Sequence, residues 1–390
     1  MLGFLLARAG VDVLVLEKHA DFLRDFRGDT IHPSTLEVMH ELGLLPEFLR
    51  RPHQELPRLT ARIGDEQVTI ADFSHLPTVC KFLAFMPQWD FLDFLVEQAR
   101  SYATFHLRMQ AEVTGLLRRD DRVTGVEAKT DRGALRVEAE LVVGADGRSS
   151  VVRQLAGLEI VDLGAPMDAL WMRLSRGPGD PSQSFGRIAS GQILALIDRG
   201  DYWQVAYVIP KGRFEEIRER GLRALRQALV ALAPFFADRV SELADWSDVK
   251  LLTVKVDHLK RWYRPGLLCI GDAAHAMSPI GGVGINLAIQ DAVAAANILA
   301  NPLRNGAPAE ADLAAVQRRR ELPTRLTQGA QVFMQNRVIR RVLSSPGQIG
   351  SLPLILRLLQ RSPLLQRIPA YLVGVGVRPE HVRSPARIGA

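Results

Sequence analysis

Apolar spacing predicts an element at the very start of the chain. Leu2, Leu5, Leu6 and Ala9 fall on one helical face, and Gly10 follows them. A glycine there reads as a helix stop, where a left-handed backbone is cheap. Val11 to Leu16 is an unbroken β-branched and apolar run that ends in the acidic Glu17. Such a run predicts a strand buried on both faces of a parallel sheet. Thr35 to Leu45 has helical periodicity, with Ser34 placed as N-cap and Glu37 completing a capping box. Gln88 to Ala99 predicts another helix behind Pro87. Arg136 to Val143 predicts a strand, alternating at first and then continuously apolar.

The pattern changes in the middle. Strand-like runs at Gln192–Ile197 and Tyr202–Ile209 are separated by turn signals at Gly177-Pro178-Gly179-Asp180 and Asp198-Arg199-Gly200-Asp201. One helix-like stretch, Phe214 to Leu232, interrupts them. These runs predict a mixed, mostly antiparallel sheet inserted into a parallel domain. Trp203 and Tyr207 share one face of their strand, to line an aromatic pocket or to fill a core. After Leu267 the parallel-type pattern returns, and from Asp312 onward the chain reads mostly helical. Between Leu352 and Val377, leucine pairs are spaced by arginines. Packing on the domain is favoured there over a membrane-surface helix, because Pro353, Pro363 and Pro369 divide the tail into short pieces.

Composition narrows the class. At 390 residues and 47% hydrophobic content, the chain can bury one large core or two smaller ones. Its two cysteines, Cys80 and Cys269, have neither a disulfide nor a metal-ligand spacing, so no metal is expected and a reducing cytoplasm is the simplest compartment. No uninterrupted apolar stretch is long enough to span a bilayer, so no integral membrane segment is expected. The net charge is +6. The basic residues are mostly scattered arginines, with small clusters at Arg318–Arg320 and Arg337–Arg341. These read as solvated helix faces rather than a nucleic-acid surface.

Candidate chemistry lies at three strand ends. In a dinucleotide-binding fold, an acid at the position of Glu17 accepts hydrogen bonds from the adenosine ribose. In LVVGADGRSSVVR, an apolar strand ends in Gly144-Ala145-Asp146-Gly147. In GLLCIGDAAHAMSPIGGVGINLAIQDA, another ends in Gly271-Asp272, and a loop with Pro279, Gly281, Gly282 and Gly284 leads into an alanine-rich helix from about Ile285. Ligands of open parallel sheets bind beyond the C-terminal strand ends. An aspartate there can hold a polyol, and helix-start amides favour negative charge. His275 is a candidate base or a packing residue of the loop, and His32 reads as structural.

On these residues the chain resembles the group A flavoprotein monooxygenases, the para-hydroxybenzoate hydroxylase-like family of FAD enzymes. Asp146 and Gly147 match the DG motif, which touches FAD and is implicated in NAD(P)H use. Gly271 and Asp272 match the GD motif, whose aspartate binds the FAD ribitol. Pro279, Gly281, Gly282, Gly284, Ile285 and Asn286 match the loop along the isoalloxazine ring. Arg27 resembles an arginine that reaches the FAD pyrophosphate, and Gln88 a residue that also contacts FAD.

The resemblance implies an α/β fold. A Rossmann-like FAD-binding domain, 1–160 and 251–330, would enclose a mixed β-sheet substrate domain, 161–250, with 55–86 in one or the other. A helical C-terminal region, 331–390, would follow. The implied activity is NAD(P)H- and oxygen-dependent hydroxylation of a small phenolic or polyketide-like aromatic, through a flavin hydroperoxide. The alternatives are another FAD oxidoreductase, such as a dehydrogenase, or a flavin-free binding protein.

One departure stands out. The family's G-x-G-x-x-G loop and first strand would precede a segment like MLGFLLARAG. The parallel sheet is therefore expected to be N-terminally truncated, with Met1 an internal methionine of the first helix. Loss of three charged phosphate hydrogen bonds, at about 1.5–3 kcal/mol each, predicts FAD binding weakened by roughly 10³-fold or more.

Overall fold

The structure is a computed structural model, and it describes residues 1–23, 30–64, 66–189, 191–344, 357 and 360–386. The helix Leu2–Arg8 ends at Gly10, whose φ is 80°. The strand behind it, Val13–Leu16, pairs in parallel with Phe105–Arg108. It starts two residues later than its apolar run suggests, and it is not doubly buried, since Leu14 is 41% exposed. An apolar run reports side-chain type, and it cannot report whether a second layer covers each face. A second parallel pair joins Val142–Gly144 to Leu267–Cys269, with Val142 opposite Leu267 and Gly144 opposite Cys269. Tyr263–Arg264 extends that sheet antiparallel.

A seven-stranded sheet is the largest in the molecule. Its spatial order is Lys250–Leu252, Met167–Ser175, Tyr202–Pro210, Gln192–Asp198, Phe185–Ala189, Arg58–Ile63 and Glu66–Asp72. Only Phe185–Ala189 against Arg58–Ile63 is parallel. Residues 58–72 thus reach this sheet from far away in sequence. One face, with Leu170, Met172, Leu194 and Trp203, packs under the helix Leu222–Leu232. Trp203 is fully buried there, and its Nε1 donates to Asp180 Oδ2 at 2.7 Å. It fills a core and lines no aromatic pocket. Tyr207 packs against the same core.

Several boundaries differ from the sequence expectation for local reasons. The 214–232 stretch is two helices, Phe214–Glu219 and Leu222–Leu232, because Gly221 takes φ 86° between them. The helix expected from Thr35 starts at Pro33, with His32 as N-cap and no side-chain cap bond. Proline at the first helical turn needs no donor, so Ser34 lies inside the helix. Glu37 instead accepts from the Val79 amide at 3.0 Å. The stretch 136–143 belongs to two strands, Gly133–Glu138 and Val142–Gly144, in different sheets. Pro369 lies inside the helix Pro363–Gly374 rather than ending it.

The helix Gly284–Arg304 ties the parallel groups together. Ile289, Val293, Ala296 and Ala300 face the cluster built on Leu5, Leu36 and Phe91. Ala292, Ala295 and Leu299 face the cluster built on Val142, Trp262 and Leu268. A helix buried on two sides must be apolar nearly all round. By length and composition alone the stretch Ile280–Arg304 would suit a membrane span, but 72% of its apolar window is buried inside the protein.

Candidate functional site

The parallel pairing of Gly144 with Cys269 sets two glycine–acid strand ends side by side. The Ile270 amide donates to Gly144 O at 3.0 Å and keeps them together one residue further. On one side the exposed Asp146 accepts from Ser150 Oγ and from the Val152 amide at 3.0 Å, where the helix Val151–Leu155 begins. Gly147 follows with open space where a Cβ would stand. On the other side Gly271 takes φ 59°, and a Cβ there would come within 2.9 Å of Ala288 Cβ. This close approach seats the loop on the helix Gly284–Arg304. Asp272 is partly exposed, its Oδ2 3.8 Å from Arg148 Nη2. Its Oδ1 lies 3.7 Å from the Cβ position of Gly284, at the start of that helix.

The glycine loop is held from three directions. Thr30 Oγ1 donates to Gly282 O at 3.1 Å. Asn286 accepts through Oδ1 from the His32 amide at 2.9 Å and from Thr35 Oγ1 at 2.8 Å. Its Nδ2 donates to Thr30 O at 3.1 Å and Gly282 O at 3.2 Å. The Asn286 amide is therefore spent on the chain itself. Gln331, from the helix Glu310–Met334, bonds the Ser278 amide at 3.1 Å, Ser278 O at 2.9 Å and Ile280 O at 2.8 Å, just before and after Pro279. His32 lies beneath, with Nδ1 2.7 Å from Val373 O. Burial pushes its pKa down to about 4, against hydrogen bonding to the backbone at Val373 and Gly281.

Two buried ionic groups brace these loops. Arg153 grips both oxygens of Asp257, at 3.0 and 3.2 Å, and donates to Arg148 O at 2.6 Å. Asp291 accepts from the Gly271 amide and Arg320 Nε at 3.0 Å each, and bonds His275 Nε2. Burial pushes the Asp291 carboxyl up, but His275, Arg320 and the Gly271 amide outweigh it and hold its pKa below the usual range. His275 is 1% exposed and 4.9 Å from the Trp262 ring, so it packs the loop rather than facing a cavity.

The structure thus gathers Gly147, Gly271, Asp272, Pro279, Gly281, Gly282, Gly284, Ile285 and Asn286 around two strand ends. Glu17 stands at the end of the other parallel pair, where its amide donates to Arg108 O at 2.9 Å and its Oε1 accepts from the His19 amide at 3.0 Å. Gln88 opens the helix Gln88–Ala99 behind Pro87. Arg27 lies outside the described residues. Sequence reasoning missed Arg148, Arg153, Asp257, Arg320 and Gln331. Arg148 and Arg153 follow the Gly144–Gly147 turn in sequence and carried a signal there. Gln331 carried none, because its partners lie 51 and 53 residues away. Arg148 Nη1 is buried without a hydrogen-bond partner among the described residues.

Residues 1–330 match the family described as FAD binding domain. The 6-methylpretetramide 4-monooxygenase of Streptomyces rimosus is 33% identical over 375 residues, covering 94% of this chain and 87% of that protein. The dialkyldecalin synthase of Streptomyces rugosporus is 27% identical, covering 96% and 76%. The crystal structure of pqsL, a probable FAD-dependent monooxygenase from Pseudomonas aeruginosa, shares the fold with a TM-score of 0.71 at 24% identity, over 88% of this chain and 95% of that one. The chain belongs to the FAD-binding domain family, and it is a flavin-dependent monooxygenase of the group A type.

Proposed function

We propose that this chain hydroxylates a phenolic, polyketide-like aromatic molecule with FAD, NAD(P)H and molecular oxygen. The observation that carries this reading is the similarity to a 6-methylpretetramide 4-monooxygenase across 94% of the chain.

The residues fit an FAD. Arg148 keeps a buried, unpartnered Nη1 next to the partly exposed Asp272. The space over Gly147 is open, and the amides of Gly281–Gly284 lead into a long helix. Asp272 would hold the polyol hydroxyls, and Arg148 would neutralise Asp272 and offer one more donor. Glu17 would take the adenosine ribose, with Gln88 and Arg27 as further contacts. Asp146 would act by fixing the turn that presents Gly147, since its carboxylate already caps a helix. Asn286 would act by shaping the loop, and the Gly282 amide closes it on Pro279 O at 3.1 Å, leaving the backbone N–H groups of Gly284 and Ile285 to meet negative charge at the helix start.

When bound, FAD supplies the electron storage and the oxygen activation. The chain's own task is to orient the substrate and exclude water. No side-chain nucleophile is required, and none is assigned. The two cysteines are unpaired and buried, which fits a reducing cytoplasm.

The test is to load the purified chain with FAD and supply NADPH or NADH, 18O-labelled oxygen and a panel of aromatic polyketide phenols. Substrate-stimulated NAD(P)H oxidation with one labelled oxygen in the product is the expected result. A product that has lost two hydrogens without gaining label would mean a dehydrogenase. A chain that takes up no flavin even at saturating FAD would refute this reading.

A further inference from the structure

The stretch from Leu322 to Pro379 contains eight arginines and no lysine, aspartate or glutamate. It alone carries more positive charge than the whole chain's net +6. Within it lies the helix Pro363–Gly374. Its inner face, Gln366, Ala370 and Gly374, is buried. Gly374 comes so close to Leu76 that a Cβ would stand 2.6 Å from Leu76 Cδ1. Its outer face is apolar as well. Leu364 is 63% exposed, Ile368 59%, Tyr371 45% and Leu372 50%. Positions i, i+4, i+7 and i+8 make one continuous stripe. Arg361 and Arg367 flank it, both exposed and without an ion pair among the described residues.

We propose that this helix docks the enzyme on the surface of an anionic phospholipid bilayer. Large exposed apolar stripes on a folded protein mark an interaction surface, and the charge around this one says which kind. Arg361 and Arg367, exposed on either side of the apolar stripe, suit lipid phosphates. The apolar side chains would enter the headgroup boundary while the arginines reach up to the phosphates along their aliphatic stems. Twelve residues of helix rise about 18 Å, too little to span the hydrocarbon core, so the helix lies on the bilayer rather than across it. This inference is independent of the substrate assigned above.

The test is co-sedimentation of the purified, FAD-loaded full chain with vesicles of phosphatidylglycerol and phosphatidylcholine, against vesicles of phosphatidylcholine alone. Binding is expected to the anionic vesicles only, and to weaken with added salt. The Arg361→Gln/Arg367→Gln variant should bind about 25-fold more weakly, at roughly fivefold per charge. The Leu364→Ser/Ile368→Ser/Leu372→Ser variant should lose binding while keeping the wild-type melting temperature. If that variant fails to fold, Ile368→Ser alone gives the same reading with a smaller loss. No binding to anionic vesicles, equal binding to both kinds, or binding unchanged by both sets of substitutions would overturn the proposal. So would a dimer of the wild type that the serine variant dissolves, since the face would then be covered by a second copy.

Discussion

Gly282→Ala places a methyl group where the loop has no room. Gly282 has φ +63°, and a Cβ there would lie 2.1 Å from Thr30 Oγ1 and 3.3 Å from Thr30 Cβ. Two costs follow. A left-handed alanine costs about 1–2 kcal/mol. Opening the contact to 3.0 Å or beyond is an overpacking change, at about 1–3 kcal/mol. The single substitution should therefore destabilise by about 2–5 kcal/mol. Thr30→Ala alone removes the bond from Oγ1 to Gly282 O and should cost about 1 kcal/mol. In the double variant the clash with Oγ1 is gone, and the backbone cost and the lost hydrogen bond remain. The pair should then be better than additive by about 1–3 kcal/mol, the size of coupling seen between touching residues. Thr30→Val keeps a branch in the position of the hydroxyl and should give no relief. Urea unfolding of all four variants, with and without added FAD, reads the cycle. Additivity within about 0.5 kcal/mol would show that Thr30 does not press on Gly282, and the loop geometry argued above would be wrong.

Other perturbations test the supports of the site. Arg153→Met should cost about 3–5 kcal/mol in urea unfolding, because it leaves Asp257 buried without its partner; a loss below about 1 kcal/mol would deny that the pair is buried. Gln331→Ala frees the backbone on either side of Pro279, so flavin should dissociate faster from this variant while its secondary structure, read by circular dichroism, stays intact. His32 takes up its proton near pH 6.5 when unfolded but only near 4 in the fold. Between those values the unfolded state holds more protons, so stability falls as pH drops from 6.5 toward 4, by up to about 3 kcal/mol. His32→Gln should flatten that slope, and an unchanged slope would assign it to other groups. Burial pushes Cys269 up to about 12 and Cys80 up to about 11, so neither thiol should react with a disulfide reagent at pH 8 until urea unfolds the chain.

Local signals in the chain were legible wherever the physics was local. The helix Gln88–Ala99 has the bounds its periodicity and Pro87 imply, and Gly10 ends the first helix in a left-handed conformation. The strands that end at Gly144 and Cys269 could be placed because an apolar run followed by Gly-x-Asp or Gly-Asp is a short-range pattern. Reasoning failed where a side chain had several partners to choose from. Ser34 looked like a cap, but Pro33 already opened the helix. Asp146 bonds Ser150 and Val152, and Asn286 bonds Thr30, His32, Thr35 and Gly282, partners that no neighbouring residue pattern announces. Leu14 looked buried because its neighbours are apolar, and it is 41% exposed.

The sequence by itself determined the kinds of element and the acids and glycines at the strand ends, since backbone preference and side-chain periodicity act over a few residues. The tertiary structure alone decided which of those ends stand together. Val142–Gly144 and Leu267–Cys269 lie more than a hundred residues apart, and only their parallel register sets Gly147 and Asp272 on one edge. Tertiary structure alone also recruited Gln331, Arg153 and Arg320, long polar side chains whose roles depend on buried backbone and carboxylates that must be paired. Such partners are chosen by packing, where the cost of an unsatisfied group is felt across the whole fold and leaves no trace in the neighbouring residues.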